Sequence, residues 1–149
     1  MTTFLPHFDV PPYKLSGTVY GTLLNHRKAL EALGESVEQV PYKGAPKAPV
    51  LYVKPRNTLR SAGQKIELPE GTTSVQVGAS LGLVMGRTAC RVPVSSAMDF
   101  VAGYVVVNDL SIPHDSFYRP SLRFKSIDSS CVVGPVVPKA KVKDPDALE

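Results

Sequence analysis

Fourteen prolines, joined by eleven glycines, punctuate this chain of 149 residues. Each proline fixes φ and removes a backbone donor, so neither a long helix nor a broad sheet of long central strands can run through it. What remains are short strands, turns and loops, a pattern that points to a strand-rich fold. The length suits one domain with a single core.

The segments between the prolines can be read in order. Residues 1–17, with Pro6, Pro11 and Pro12, have no sustained period and are expected to form an N-terminal arm, with the folded domain spanning 18–149. Thr18 to Leu24 is β-branched and aromatic, a strand by composition. Asn25 is placed to cap a helix running to Leu33, with Leu30 and Leu33 on its apolar face and Gly34 to end it. Pro41 to Pro49 is a loop, and VLYVKP is a strand ending in Lys54. Lys65 to Leu68 predicts a further short strand. The run SVQVGASLGLVMG reads as two strands or as one bent at Gly78. Ser95 or Ser96 is placed to cap a short helix through Phe100, after which come GYVVVND, LRFK and a last extended run, CVVGPVVPKAKV.

Charge and cysteine content narrow the function. The net charge of +4 is scattered with no basic stripe, and Trp is absent, which argues against nucleic acid, and small anionic ligands account for a mild basic excess equally well. Cys90 and Cys131 lack any zinc-site spacing and are expected to be two buried, reduced thiols. No apolar run approaches the roughly 18 residues of a membrane span, so a cytoplasmic protein is expected.

The polar residues gather between Asp99 and Pro138. The apolar run Val101 to Val107 ends abruptly in Asn108 and Asp109, and Arg119, Arg123, Lys125 and Asp128 follow across a proline-bounded turn. Asp109 reads from its position as a turn former capping Ser111 or the next backbone amide, and a metal role needs support from outside the local pattern. Lys125 reads either as a structural partner of Asp128 or as an anion contact. Lys54 and Arg56, flanking Pro55, carry the same ambiguity at lower rank. His26 and His114 share no spacing with a carboxylate pair and read as structural, and His7 falls in the arm.

These blocks resemble the fumarylacetoacetate hydrolase superfamily over nearly all of Tyr20 to Lys141. YGTLLNHRKALEALG, YKGAPKAPVLYVKPRNTL, DFVAGYVVVNDLSIPHDSFYRPSLRFKSID and GPVVPK occur in the right order. They are most similar to the N-terminal half of the two-domain members that serve homoprotocatechuate (4-hydroxyphenylacetate) catabolism. The resemblance implies an α+β fold, a twisted mixed sheet or roll, in a domain that continues past Glu149.

It also implies decarboxylation of 5-oxopent-3-ene-1,2,5-tricarboxylate or isomerisation of 2-hydroxyhepta-2,4-diene-1,7-dioate, with Mg or Mn chelating a 2-oxo or enol acid. The partners implied are a small di- or tricarboxylate and either a second copy of the chain or a homologous half, without nucleic acid or membrane. In the superfamily two Glu and one Asp hold the metal. Here Gly78 and Ser80 stand at the two Glu positions, and only Asp109 matches. An N-Y-x-x-H-x-x-E pattern is matched by Asn25 to Ala32, with Ala29 and Ala32 in place of His and Glu. Lys125 and Asp128, in a K-S-x-D element, are retained as catalytic candidates, and Tyr118, Arg119, Lys54 and Arg56 as substrate contacts. The depleted motifs leave open a noncatalytic partner subunit, and more weakly an acylpyruvate C–C hydrolase.

Overall fold

The computed structural model describes residues 18–148; the expected arm at 1–17 lies outside them. Two sheets organise the chain. In the smaller, β1 (Val19–Leu23) pairs antiparallel with β2 (Val50–Lys54), Gly21 opposite Tyr52. The larger has five strands: β3 (Leu59–Ser61), β4 (Ala79–Met85), β5 (Val101–Asp109), β6 (Cys131–Val133) and β7 (Val137–Pro138). Their order is β3-β6-β5-β4, with β7 also on β5. β3 and β6 are parallel and the other pairs antiparallel, so the sheet is mixed as expected.

The valine-rich β5 is central, with Val101, Tyr104 and Val105 buried. Val84, Val105, Cys131 and Val133 make the core cluster, against which Leu59, Val107 and Val136 pack. Full burial of each such side chain stabilises the fold by about 1.5–3 kcal/mol. The ladder between β4 and β5 does not stop at Gly78. The Asp109 amide donates to the Gly78 carbonyl at 2.9 Å, and Gln76 and Ser111 form a further antiparallel bridge.

Helix is scarcer than the sequence implies. α1 covers only Arg27–Glu31; its N-cap is His26, without a side-chain cap bond, instead of Asn25. Five residues form little more than one turn, and Gly34, at φ +51°, opens a 3-10 turn, Gly34–Glu38, in place of the predicted continuation. The predicted helix near Ser95 is a 3-10 segment, Val94–Phe100, entered from Pro93 and not capped by either serine. Lys65 to Leu68 is irregular, with no strand partner. The last extended run breaks into β6, β7 and a 3-10 turn at Lys139–Lys141, because Pro135 and Pro138 interrupt the ladder. LRFK forms a one-turn helix, α2 (Leu122–Lys125), anchored where the Ile112 amide donates to the Phe124 carbonyl at 2.9 Å.

Of the two cysteines, Cys131 is buried and Cys90 exposed, so the expectation of two buried thiols holds for one. Cys90 follows β4 in a bend at the surface, where no sheet covers it.

Candidate functional site

The strand alternation of β2 sends Leu51 and Val53 outward and Tyr52 and Lys54 inward. Ordinary amphipathic patterning would bury the aliphatic pair, so the inward face of this strand is polar for a reason other than core packing. Gly21 makes the inward placement possible: a Cβ there would lie 2.3 Å from Cζ of Tyr52, whose ring crosses the glycine. Tyr52 and Lys54 thereby reach the end of β5, where Asp109 is the last residue and sits opposite Cys131.

Asp109 is the centre of the cluster. Its Oδ1 lies 2.8 Å from Lys54 Nζ and its Oδ2 3.1 Å from Lys125 Nζ, and the Tyr52 hydroxyl donates to Oδ2. Lys54 Nζ also donates to the Lys125 carbonyl and, at 3.3 Å, to Ser130 Oγ. Two oxygens thus accept from its ammonium, Asp109 Oδ1 adds an ion-pair contact without accepting an aligned hydrogen bond, and the residue is 4% exposed. Lys125, at the end of α2, is less enclosed; its Nζ lies 4.9 Å from the Tyr52 ring centroid and has Asp109 as its carboxylate partner. Ser129, at φ +61°, turns the chain so that the fully buried Ser130 faces this group.

Two ammoniums and one carboxylate leave a net positive charge in a half-dry setting, a combination suited to an anion. Burial works to raise the Asp109 pKa, but hydrogen bonds from Lys54 and Tyr52 and the charges of Lys54 and Lys125 outweigh it and hold the carboxyl below its usual range. Burial, then the bond to Asp109, pushes the Tyr52 phenol far up, so it acts as a donor and not as an anion. Burial pushes the Cys131 thiol up to about 11. Asp109 is therefore neither a turn former nor a cap. It is a buried counterion.

The structure brings together three of the residues picked from sequence, Lys54, Lys125 and Asp109. It separates Asp128 from Lys125: Asp128 is exposed and accepts from Asn57 Nδ2 instead. Arg119 and Tyr118 are exposed, with the Arg119 guanidinium 5.3 Å from the Tyr118 ring centroid and that ring edge-on to Tyr42. Arg56 is exposed in the 3-10 turn Arg56–Thr58 after β2. Tyr52 and Ser130 were not picked out; the i, i+2 spacing of Tyr52 and Lys54 was the available signal.

The residues present do not fit a divalent metal. A Cβ on Gly78 would lie 2.4 Å from the Asp109 carbonyl oxygen, and Ser80 turns its exposed hydroxyl toward the Gly78 carbonyl at 3.4 Å. Among the described residues no three His, Cys, Asp or Glu are grouped to hold a metal. Among them, too, no helix is long and apolar enough to cross a membrane.

Fold and site together define a class: an α+β protein whose mixed sheet brings a buried lysine–aspartate cluster of net positive charge to its strand ends. The chain belongs to the fumarylacetoacetate hydrolase family, since residues 18–149 match the family profile described as fumarylacetoacetate (FAA) hydrolase C-terminal. It is 41% identical over 128 residues to the 4-hydroxyphenylacetate degradation bifunctional isomerase/decarboxylase of Escherichia coli, covering 86% of this chain and 30% of that protein. The chain thus spans about a third of the length of this relative. The 5-carboxymethyl-2-hydroxymuconate delta-isomerase of Mycobacterium smegmatis is similar in structure, at 31% identity and TM-score 0.56 over 68% of this chain and 40% of that one. The fumarylpyruvate hydrolase of Pseudomonas aeruginosa, solved with Mn2+ and pyruvate, shares the fold at 23% identity and TM-score 0.62, covering 92% of this chain and 60% of that one.

Proposed function

We propose that this chain is a component of an isomerase/decarboxylase of homoprotocatechuate catabolism. Its substrate is an enol or 2-oxo acid with two or three carboxylates, 5-oxopent-3-ene-1,2,5-tricarboxylate or 2-hydroxyhepta-2,4-diene-1,7-dioate. The similarity to the bifunctional relative supports the pathway. The observation that carries the reading is the Lys125 ammonium, oriented by Asp109 and Tyr52 at the edge of a buried cluster with surplus positive charge.

In this reading Lys125 receives a substrate carboxylate and stabilises the negative charge that develops as carbon dioxide leaves or a proton moves. Asp109 and Tyr52 position that ammonium without competing for substrate. Arg119 and Arg56, both exposed, serve the distal carboxylates, for which a guanidinium fork is suited. The oligomer is a second copy or a homologous half.

One observation favours a second reading, a noncatalytic partner subunit: Gly78, Ser80, Ala29 and Ala32 stand where the family's metal-binding and acid/base groups would be. The test follows loss of the dienoate's ultraviolet absorbance with the purified chain, alone and mixed with an active homologous half. Turnover by the chain alone that Lys125→Ala abolishes supports the enzyme. Turnover only on mixing, indifferent to Lys125→Ala in this chain, supports the subunit and refutes the first reading.

A further inference from the structure

The unusual member of the cluster is Lys54. A cation buried this deeply is normally costly, and it is sustained here by a tripod of oxygens, Asp109 Oδ1, Ser130 Oγ and the Lys125 carbonyl, supplied by β5, β6's approach and α2. Carboxylate, hydroxyl and carbonyl oxygens are also the donors a hard divalent cation takes. Both Asp109 oxygens already face ammoniums: Oδ2 accepts from Tyr52 and Lys125, and Oδ1, which accepts no aligned hydrogen bond, lies in ion-pair contact with Lys54. A divalent ion added here would meet two ammoniums, with one carboxylate to offset four positive charges. The Gly78 backbone, pressed on the Asp109 carbonyl, leaves no room at that position for a second carboxylate.

We propose that the Lys54 ammonium stands in this chain for the divalent cation, so that Lys125 receives a 2-oxo or enol carboxylate without a metal. For its ligand class this rests on the function proposed above. The division of labour follows from the contacts of the two ammoniums. Lys54 bonds the Lys125 carbonyl and Ser130 Oγ, lies in ion-pair contact with Asp109 Oδ1, and so fixes the charge inside the protein. Lys125, with one carboxylate partner and its side chain 14% exposed, keeps a donor for the ligand.

Two measurements on the intact chain test this. Electron paramagnetic resonance of added Mn2+ reads metal binding by the wild-type protein, and calorimetry with oxalate, a planar dianion shaped like an enolised 2-oxo acid, reads ligand binding in EDTA and in Mn2+-free buffer. The expected result is free Mn2+ throughout, oxalate binding that EDTA leaves unchanged, and a loss of about tenfold or more with Lys125→Ala. Lys54→Gln, confirmed folded by circular dichroism, should also weaken oxalate; the wild-type Mn2+ and EDTA results stand even if that variant does not fold. One Mn2+ bound per chain and lost in Asp109→Asn overturns the proposal, as does oxalate binding that EDTA abolishes or that never occurs. Metal-free oxalate binding without turnover of the dienoate leaves this inference standing and refutes the pathway reading; metal-dependent turnover does the reverse.

Discussion

Replacing Asp109 by leucine removes the one carboxylate that two buried or half-buried ammoniums share. At 2.8 and 3.1 Å, and with an effective dielectric of about 20, each pair attracts by about 5–6 kcal/mol before desolvation is counted. The side chains of Lys54 and Asp109 are 2% and 10% exposed, so losing one partner strands the other in a poor solvent. The net cost of such a loss is about 3–5 kcal/mol. With a urea m-value of about 2 kcal/mol per molar, the unfolding midpoint should fall by about 1.5–2.5 M. Lys54→Met should cost a similar amount, because Asp109 then keeps only Lys125 and Tyr52. The double variant, Lys54→Met with Asp109→Leu, removes the desolvation penalty with the attraction, and Lys125 has solvent to turn to. It should be destabilised by far less than the two single changes together, a coupling of about 2 kcal/mol or more. Urea denaturation of the four proteins reads this cycle. Additive losses, or a single-variant loss under about 1 kcal/mol, would refute the ion cluster as described.

Three further outcomes follow. Gly78→Ala must move the chain entering β4 away from the Asp109 carbonyl, so it should lower stability by about 1–3 kcal/mol, read by thermal melting; an unchanged melting temperature would refute that close approach. Because the Asp109 pKa is lowered on folding, its contribution is present above the unfolded carboxylate value and is lost as pH falls from about 4 through the lowered folded value; the wild-type stability curve should steepen there and that of Asp109→Asn should stay flatter. A thiol reagent at pH 8 should modify one cysteine per folded chain, exposed Cys90, with Cys131, buried and pushed up to about 11, reacting only after unfolding; two fast equivalents would contradict its placement.

The longer strands were legible because valine-rich runs bounded by Pro and Gly leave few alternatives, as β5 shows, whereas the mixed sheet followed from the family resemblance alone and the short β3 was missed. The helices were not: Asn25 and the serines near Val94 look like caps, yet local hydrogen bonding chose His26 and Pro93 as the entry points. At the site, Asp109 and Lys125 were visible as polar ends of apolar or helical segments, but their pairing was not. Lys125 was expected beside Asp128, three residues on, whereas strand register carries Asp109 to it from across a turn. Lys54 ranked below Lys125 because, like Arg56, it could equally be a solvated charge or a substrate contact. Its burial depends on β2 turning Leu51 and Val53 outward, an inversion of the usual pattern that only the neighbouring sheet dictates.

The cluster is also a seam. Tyr52 and Lys54 belong to the two-stranded sheet, while Asp109 and Ser130 belong to the end of the five-stranded one and the turn leading into it. The charges that would face a ligand therefore fasten one sheet to the other. A library of variants sorted only for correct folding, with no ligand offered, should still retain Lys54 and Asp109 while letting Lys125 drift. Screens that take retention of a residue as a sign of activity would then credit the wrong lysine.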